Sequence, residues 1–291
     1  MQPRFIHLTT SDGYRLNCRH WQPVGSSPRA FVVALHGIQS HGGWYDRSSR
    51  ELCEAGYDVL FVDRRGSGRN FSRRGDAPHA ERLINDVIQV LTYVRHQRDR
   101  FAPGVPIVLQ AVSWGGKLAA IAAARRPELM DGVALLYPGI CARVQPTRWQ
   151  SARLSLARKL DIRSRRIKIP LSDPALFTGQ PQWQEFIRRD RLALREVTVG
   201  FLLAHQDVTR EAIESASRIQ SPVLLMLAGK DDIIDNTATK QWRQQLATND
   251  ITLYEYAEAR HTLEFEPNPE QFIGDLLEWL GQLTSARRSV S

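Results

Sequence analysis

A chain of 291 residues, 42% of them hydrophobic, is long enough to bury a large core as one or two domains. Its 39 Lys and Arg against 31 Asp and Glu leave a formal charge of +8, and its three cysteines, Cys18, Cys53 and Cys141, are odd in number and scattered, which excludes a disulfide scaffold. Residues 1–7 hold no apolar signal core and no stretch is long enough to span a bilayer, so a soluble, cytoplasmic protein is expected.

In chain order, residues 6–16 read as two short runs about Asp12-Gly13, an antiparallel hairpin at a sheet edge. The apolar runs 31–35, 59–62, 107–112, 133–137, 223–227 and 251–256 are short, continuous and bounded by Gly, Pro or Asp, the pattern of parallel strands buried on both faces. Helical stretches alternate with them at 45–55, 79–98, 114–125, 237–247 and 269–283, the last carrying Phe272, Leu276, Trp279 and Leu283 on one face. Such alternation predicts a doubly wound, mostly parallel sheet flanked by helices. One segment breaks it. Between Pro138 and Pro222 no core strand is evident, and a span of that length inside a compact domain has to be structured or functional. Trp149, Ala152, Leu156 and Leu160 recur at helical spacing, as do Trp183, Phe186 and Ile187, then Phe201, Leu202 and His205, so this is a helical insertion. The expected division is a core over 1–140, a helical cap over 141–216 and the rest of the core over 217–291, with a frayed tail at 285–291.

The chemistry centres on Ser113 in Ala111-Val112-Ser113-Trp114-Gly115, directly after the run 107–112 and before the helix-forming residues 117–124. A serine at the turn from a buried strand into a helix stands clear of the sheet beside free backbone N–H groups, as a nucleophile for ester or amide chemistry requires. The same residues also suit a polar loop in which Ser113 merely caps a helix. Small residues let strand and helix approach closely around such a turn; here Ala111 stands at a position where the GxSxG pattern has glycine, and Gly115 keeps the other side open. A serine hydroxyl needs a base and an acid that orients it. The run 223–227 ends in Gly229-Lys230-Asp231-Asp232-Ile233-Ile234-Asp235, and 251–256 leads through Arg260 to His261. Serine, acid and histidine therefore follow in that order, each after a strand.

With His36-Gly37 after the first core strand, Gly56-Tyr57-Asp58-Val59 before Asp63-Arg64-Arg65-Gly66-Ser67-Gly68, the turn at Ser113, Gly229-Lys230-Asp231-Asp232 and Arg260-His261, the chain resembles the α/β-hydrolases of the monoacylglycerol lipase, lysophospholipase and serine aminopeptidase group. The resemblance spans nearly the whole chain. It implies an α/β-hydrolase fold with the insertion as a cap over the active site, and a Ser113–His261 pair whose acid is Asp232, with Asp231 and Asp235 as the other candidates. It also implies an oxyanion hole from the backbone N–H groups of Ile38 and Trp114, and a loop-fixing role for His36. The Trp114 side chain could wall the site against water or pack helix on sheet. No cofactor and no metal are expected; His36 and His41 lack the further ligands of a zinc site. His205 reads as a packed cap histidine.

The expected reaction is hydrolysis of a small-molecule carboxylic ester, with a monoacylglycerol or lysophospholipid as the lipid substrate the resemblance favours. An aminopeptidase or thioesterase could use the same residues, and the fold also serves ligand sensors with little turnover. A peptidase of this group is expected to carry acids in its cap, whereas this cap opens with nine cations, Arg143, Arg148, Arg153, Arg158, Lys159, Arg163, Arg165, Arg166 and Lys168. Such a patch suits peripheral contact with an anionic membrane, and equally a solvated face. Nucleic acid is not expected, because no binding fold accompanies the charge. The sequence carries no sign of oligomeric state.

Overall fold

The computed structural model describes residues 2–25, 27–143 and 148–288. Eight strands form one sheet: β1 (Arg4–Thr9), β2 (Arg15–Trp21), β3 (Phe31–Leu35), β4 (Asp58–Val62), β5 (Ile107–Val112), β6 (Gly132–Leu136), β9 (Val223–Ala228) and β10 (Ile251–Tyr256), in the order β1-β2-β4-β3-β5-β6-β9-β10. Strands β4, β5, β6 and β9 are buried at every position, which is why they read as unbroken apolar runs and not as alternating ones. The expected edge hairpin is β1 and β2, antiparallel to each other, with β2 antiparallel to β4; every other pairing in the sheet is parallel.

The chain leaves β3 for β4 on one side and returns to β5 on the other, so strand order reverses at β3. Right-handed crossovers then send α1 (Asp46–Glu54) and α3 (Gly115–Arg125) to opposite faces. Helix α1 packs with α8 (Pro269–Arg288), and α3 with α2 (Ala80–Phe101). Register aligns Leu35 with Val62 and Ala111, and Val112 with Leu136, so the loops that follow these strands meet at one end of the sheet. A crevice at such a reversal is where open α/β sheets place their ligands.

The insertion contains α4 (Arg148–Lys159), α5 (Pro181–Arg189) and α6 (Val199–Glu214) at the three helical patterns read from the sequence. Two features differ from expectation. A short antiparallel ribbon, β7 (Arg166–Lys168) with β8 (Glu196–Thr198), closes the base of the excursion. Gly75 explains how tightly it docks: a Cβ on that residue, at φ +74°, would lie 2.4 Å from the Glu196 carbonyl oxygen. In addition α6, although inside the span expected for the cap, packs on α3 and α2 through Phe201, Ala204, Val208 and Ala212, as a core helix does. Asn236–Arg243 forms α7, capped by Asp235. Helix α8 continues to Arg288, because Phe272, Ile273, Leu276, Trp279 and Leu280 are buried and anchor it; residues 285–288 are thus helical where fraying was expected, and 289–291 lie outside the described residues. Each such side chain buried stabilises the fold by about 1.5–3 kcal/mol. No described helix is long and apolar enough to cross a membrane.

Candidate active site

Ser113 follows the last residue of β5 and has φ +50°, a left-handed conformation unusual for a residue with a Cβ. Its surroundings leave the backbone little alternative. The Ser113 N–H donates to the Leu136 carbonyl at 3.0 Å, and its own carbonyl accepts from Gly139 N–H at 2.6 Å and Gly116 N–H at 2.9 Å. Strain of this kind persists where the surroundings over-determine it. Gly115 is required by contact: a Cβ there would meet the His36 carbonyl oxygen at 2.7 Å. Ala111, paired with Leu35 and fully buried, shows that a methyl group is accommodated on the other side.

His261 lies 2.8 Å by its Nε2 from Ser113 Oγ and 2.8 Å by its Nδ1 from Asp231 Oδ2. Both His261 and Asp231 are buried, and the imidazole is edged by Tyr137 and Phe177, with centroids 4.9 and 5.9 Å away. The second oxygen of Asp231 accepts the N–H groups of Ile233 and Ile234 at 2.8 and 2.9 Å, which holds the carboxylate as an orienting group must be held.

The carboxylate that meets His261 is therefore that of Asp231, and the expectation that Asp232 would be placed there is corrected by one position. Asp232 has a side chain 60% exposed and faces Arg260 at 3.4 Å, an ion pair on the surface. Asp235, the remaining candidate, accepts the Ala238 N–H at 2.9 Å and caps α7. Turn geometry after Gly229 sends adjacent side chains to opposite sides, so only one of Asp231 and Asp232 can reach the histidine. A usable signal was present: Ile233 and Ile234 are apolar residues whose buried N–H groups need an acceptor, and an aspartate two and three residues ahead supplies it.

The loop after β3 approaches the serine closely, since a Cβ on Gly37 would lie 3.2 Å from Ser113 Cβ. Gly37 N–H donates to Ser40 Oγ at 3.0 Å. His36 Nδ1 donates to the Gly37 carbonyl at 2.7 Å, and its Nε2 accepts the Arg64 N–H at 2.8 Å, so the partners fix the tautomer. Burial, with Arg64 nearby, holds His36 well below the ordinary histidine range, hence neutral. The Gly37–Ile38 peptide is trans, so the N–H of Ile38 points opposite the Gly37 carbonyl that His36 holds. Among the described residues neither Ile38 N–H nor Trp114 N–H is taken by a protein acceptor, as donors reserved for an oxyanion would be.

The Trp114 ring serves packing: it is buried against α6, 5.5 Å from the Phe201 centroid, and its Nε1 donates to His205 Nδ1 at 2.7 Å. His205 is accordingly a packed histidine, held well below its ordinary pKa by burial and by Lys117 and Arg64. Lys117, one turn beyond the serine, is a residue the sequence reading passed over. Its Nζ donates to Thr209 Oγ1 at 2.6 Å, and burial pushes its pKa down to about 7. His41 is used inside the protein: Nδ1 accepts the Gly43 N–H at 3.0 Å and Nε2 meets Asp190 Oδ2 at 3.0 Å. Among the described residues no group of three or more His, Cys, Asp or Glu is arranged to hold a metal ion.

The cap joins this floor through aromatic contacts, with Phe177, Trp183 and Phe186 packed on Trp44 and Phe265. In the insertion Trp149 is 82% exposed, and Leu156, Leu160 and Ile162 are also in solvent. Arg153, Lys159, Arg165 and Lys168 are exposed beside them, whereas Arg158 pairs with Asp207 at 3.2 Å; the Arg148 side chain lies outside the described residues.

Monoglyceride lipase of Rattus norvegicus is 27% identical over 261 residues, covering 89% of this chain and 84% of the relative. The Homo sapiens monoglyceride lipase is 25% identical over 288 residues, 98% and 93% of the two chains. A soluble variant of monoglyceride lipase from Saccharomyces cerevisiae, solved with a substrate analogue, shares the fold with TM-score 0.85 at 18% identity, over 97% of this chain and 96% of that one. Fold, site and relatives together define an α/β-hydrolase that acts as a serine-type ester hydrolase. The sequence model described as serine aminopeptidase, S33, matches residues 26–268, and the chain belongs to that family.

Proposed function

We propose that this enzyme hydrolyses the ester of a single-chain lipid, a monoacylglycerol or lysophospholipid, through an acyl-enzyme on Ser113. The observation that carries the reading is the chain of two 2.8 Å contacts from Ser113 Oγ through His261 to Asp231, built on a serine at φ +50°. In this reading Ser113 attacks the carbonyl carbon while His261 Nε2 takes its proton and returns it to the leaving alcohol. Asp231 orients the imidazole and stabilises its charged form. The Ile38 and Trp114 N–H groups receive the negative charge that develops on the carbonyl oxygen. Water, activated by His261, then releases the acid.

The lipid part of the reading draws support from relatives named as monoglyceride lipases and from a cap in which Trp149, Leu156 and Leu160 are exposed, as are the cations Arg153, Lys159, Arg165 and Lys168. We read the excursion from residue 141 to β8 as the lid, with its outer face resting on an anionic lipid surface. An aminopeptidase needs a carboxylate for the substrate's free amine. In the cap Asp190 is buried but already engaged by His41, Trp44 and the Leu192 N–H, which favours the ester over the peptide.

The test is a panel of monoacylglycerols, lysophospholipids, short p-nitrophenyl esters, thioesters and amino-acid amides assayed with wild type and Ser113→Ala. Turnover of single-chain lipid esters above the amides, with no turnover by the variant, is the expected outcome. Preference for the amides or thioesters would overturn the substrate class.

A further inference from the structure

Arg64 is a buried cation for which the described residues offer no carboxylate partner. Its guanidinium makes few hydrogen bonds: Nη2 donates to the Ile38 carbonyl at 3.0 Å, Nη1 reaches the Arg65 carbonyl at 3.4 Å, and buried Nε has no partner. Its faces are engaged instead. The guanidinium carbon lies 4.9 Å from the Trp114 ring centroid and 4.9 Å from that of Phe201. A charge that is buried without a counter-ion is costly, and such an arrangement calls for an explanation beyond packing.

Resting on the proposed acyl-enzyme chemistry, we infer that Arg64 is the positioning residue of the oxyanion hole, tying the loop that carries Ile38 to the elbow residue Trp114. Three contacts support it. The Arg64 N–H fixes His36, which holds the Gly37 carbonyl and so aims the N–H of Ile38. The Arg64 side chain holds the Ile38 carbonyl, so both peptide planes flanking the Ile38 Cα are pinned from this one residue. The same guanidinium sits over the indole of Trp114, the other donor residue, 4.9 Å from its centroid.

The electrostatics agree with that placement. Burial, with Arg74 close by, lowers the Arg64 pKa to about 10, so the group stays charged at neutral pH. His205, which accepts from the Trp114 indole, and Lys117, which donates to Thr209, add no negative charge. A fixed positive charge in a water-poor site favours an anion that forms during reaction over the neutral ester that precedes it. Arg64 is therefore expected to act on the tetrahedral state and not on ground-state binding. Lysine replaces it only in part, because an ammonium keeps the charge but lacks the planar fork of donors that meets Ile38 and the two rings.

The experiment compares wild type, Arg64→Met and Arg64→Lys, each checked for folding by thermal melting. A short soluble ester provides kcat and KM, an alkyl boronic acid reports affinity for a tetrahedral adduct, and a non-hydrolysable alkyl ether of the substrate reports ground-state affinity. Direct loss of one oxyanion donor costs about 10²–10³ in kcat, so loss of the residue that positions donors should cost about 10- to 100-fold. For Arg64→Met that loss should fall on kcat and on boronate affinity together, with KM and ether affinity within about twofold; Arg64→Lys should lie between the variant and wild type. Unchanged boronate affinity in either folded variant overturns the inference, as does equal weakening of boronate and ether. If Arg64→Met does not fold, Arg64→Lys decides by the same criterion. A wild type that neither hydrolyses esters nor binds the boronate overturns the acyl-enzyme reading itself, and is thereby distinguished from a failure of Arg64 alone.

Discussion

Around Ser113 the neighbouring side chains are buried and the strained backbone is tied by three hydrogen bonds, whereas on α4 Trp149 and Leu156 stand in solvent beside Arg153 and Lys159. The floor of the site and the outer face of its cap thus use apolar residues in opposite ways. Trp114 and Tyr137 of the floor, with Phe177 of the insertion, shape one geometry and enclose the Ser113–His261 contact. Exposed apolar residues beside exposed cations, on the other hand, are poorly used by a protein alone in water, and such a face fits an external surface. Chemistry demands positions good to a fraction of an ångström; surface contact demands only composition and a face. The two regions should accordingly respond very differently to mutation.

The largest effect is expected at the nucleophile. Ser113→Ala should lower kcat by about 10⁴-fold or more and eliminate covalent labelling by a fluorophosphonate, while the melting curve stays cooperative. Labelling at the wild-type rate in a folded variant would remove Ser113 from the mechanism.

The adjacent aspartates give the sharpest comparison within the floor. Asp231→Asn should cost about 10⁴-fold in kcat, since an amide mis-sets the histidine tautomer, while Asp232→Asn should stay within about twofold because its carboxylate is an exposed partner of Arg260. Equal losses in the two variants would contradict the geometry.

On the cap, the quadruple change Arg153→Glu, Lys159→Glu, Arg165→Glu and Lys168→Glu should leave hydrolysis of a short soluble ester within about twofold. Each cation near an anionic membrane contributes on the order of 1 kcal/mol, so partition onto phosphatidylglycerol vesicles should drop by about 100-fold or more. Wild-type binding should also weaken with salt, because the screening length is only about 10 Å at 0.1 M. Absence of vesicle binding by wild type at low salt would make the patch a solvated face, and a matching loss of soluble-ester turnover would erase the contrast between the regions.

The smallest effect concerns stability beneath the elbow. Lys117 has a folded pKa of about 7 against 10.5 when free, so between those values the unfolded chain binds more protons and stability rises with pH. Below pH 7 both states carry the charge, and its burial opposes folding at full strength. Lys117→Met should therefore raise Tm by a few degrees at pH 6, with the gain shrinking towards pH 10. A constant difference across that range would show that Lys117 keeps one protonation state.

Much of this arrangement was legible in advance. Strands β3 to β6 and β9 read as apolar runs because both sheet faces are covered there, the half-buried edge strand β10 reads as a run of β-branched and aromatic residues, and the elbow is readable from a serine between β5 and α3. His261 is legible because it follows the last strand in the order serine, acid, histidine. The ribbon of β7 and β8 was not legible, since three-residue strands leave no periodicity, and α6 carried the same helical pattern whether it served cap or core. Arg64 stands in a loop motif and Lys117 in a helix-forming run, and nothing local records that tertiary packing buries either cation.

The sequence by itself determined the alternation of elements, the α/β-hydrolase architecture and the serine and histidine proposed as nucleophile and base, because each depends on short-range patterns of apolar, small and turn-forming residues. Only the tertiary structure decided that Asp231 and not Asp232 meets His261, that Asp235 caps α7, and that a lone guanidinium links Ile38 with Trp114. The physical reason is directional: in a tight loop, neighbouring side chains diverge, and where each one points is set by the hydrogen bonds and packing of segments far away in the chain.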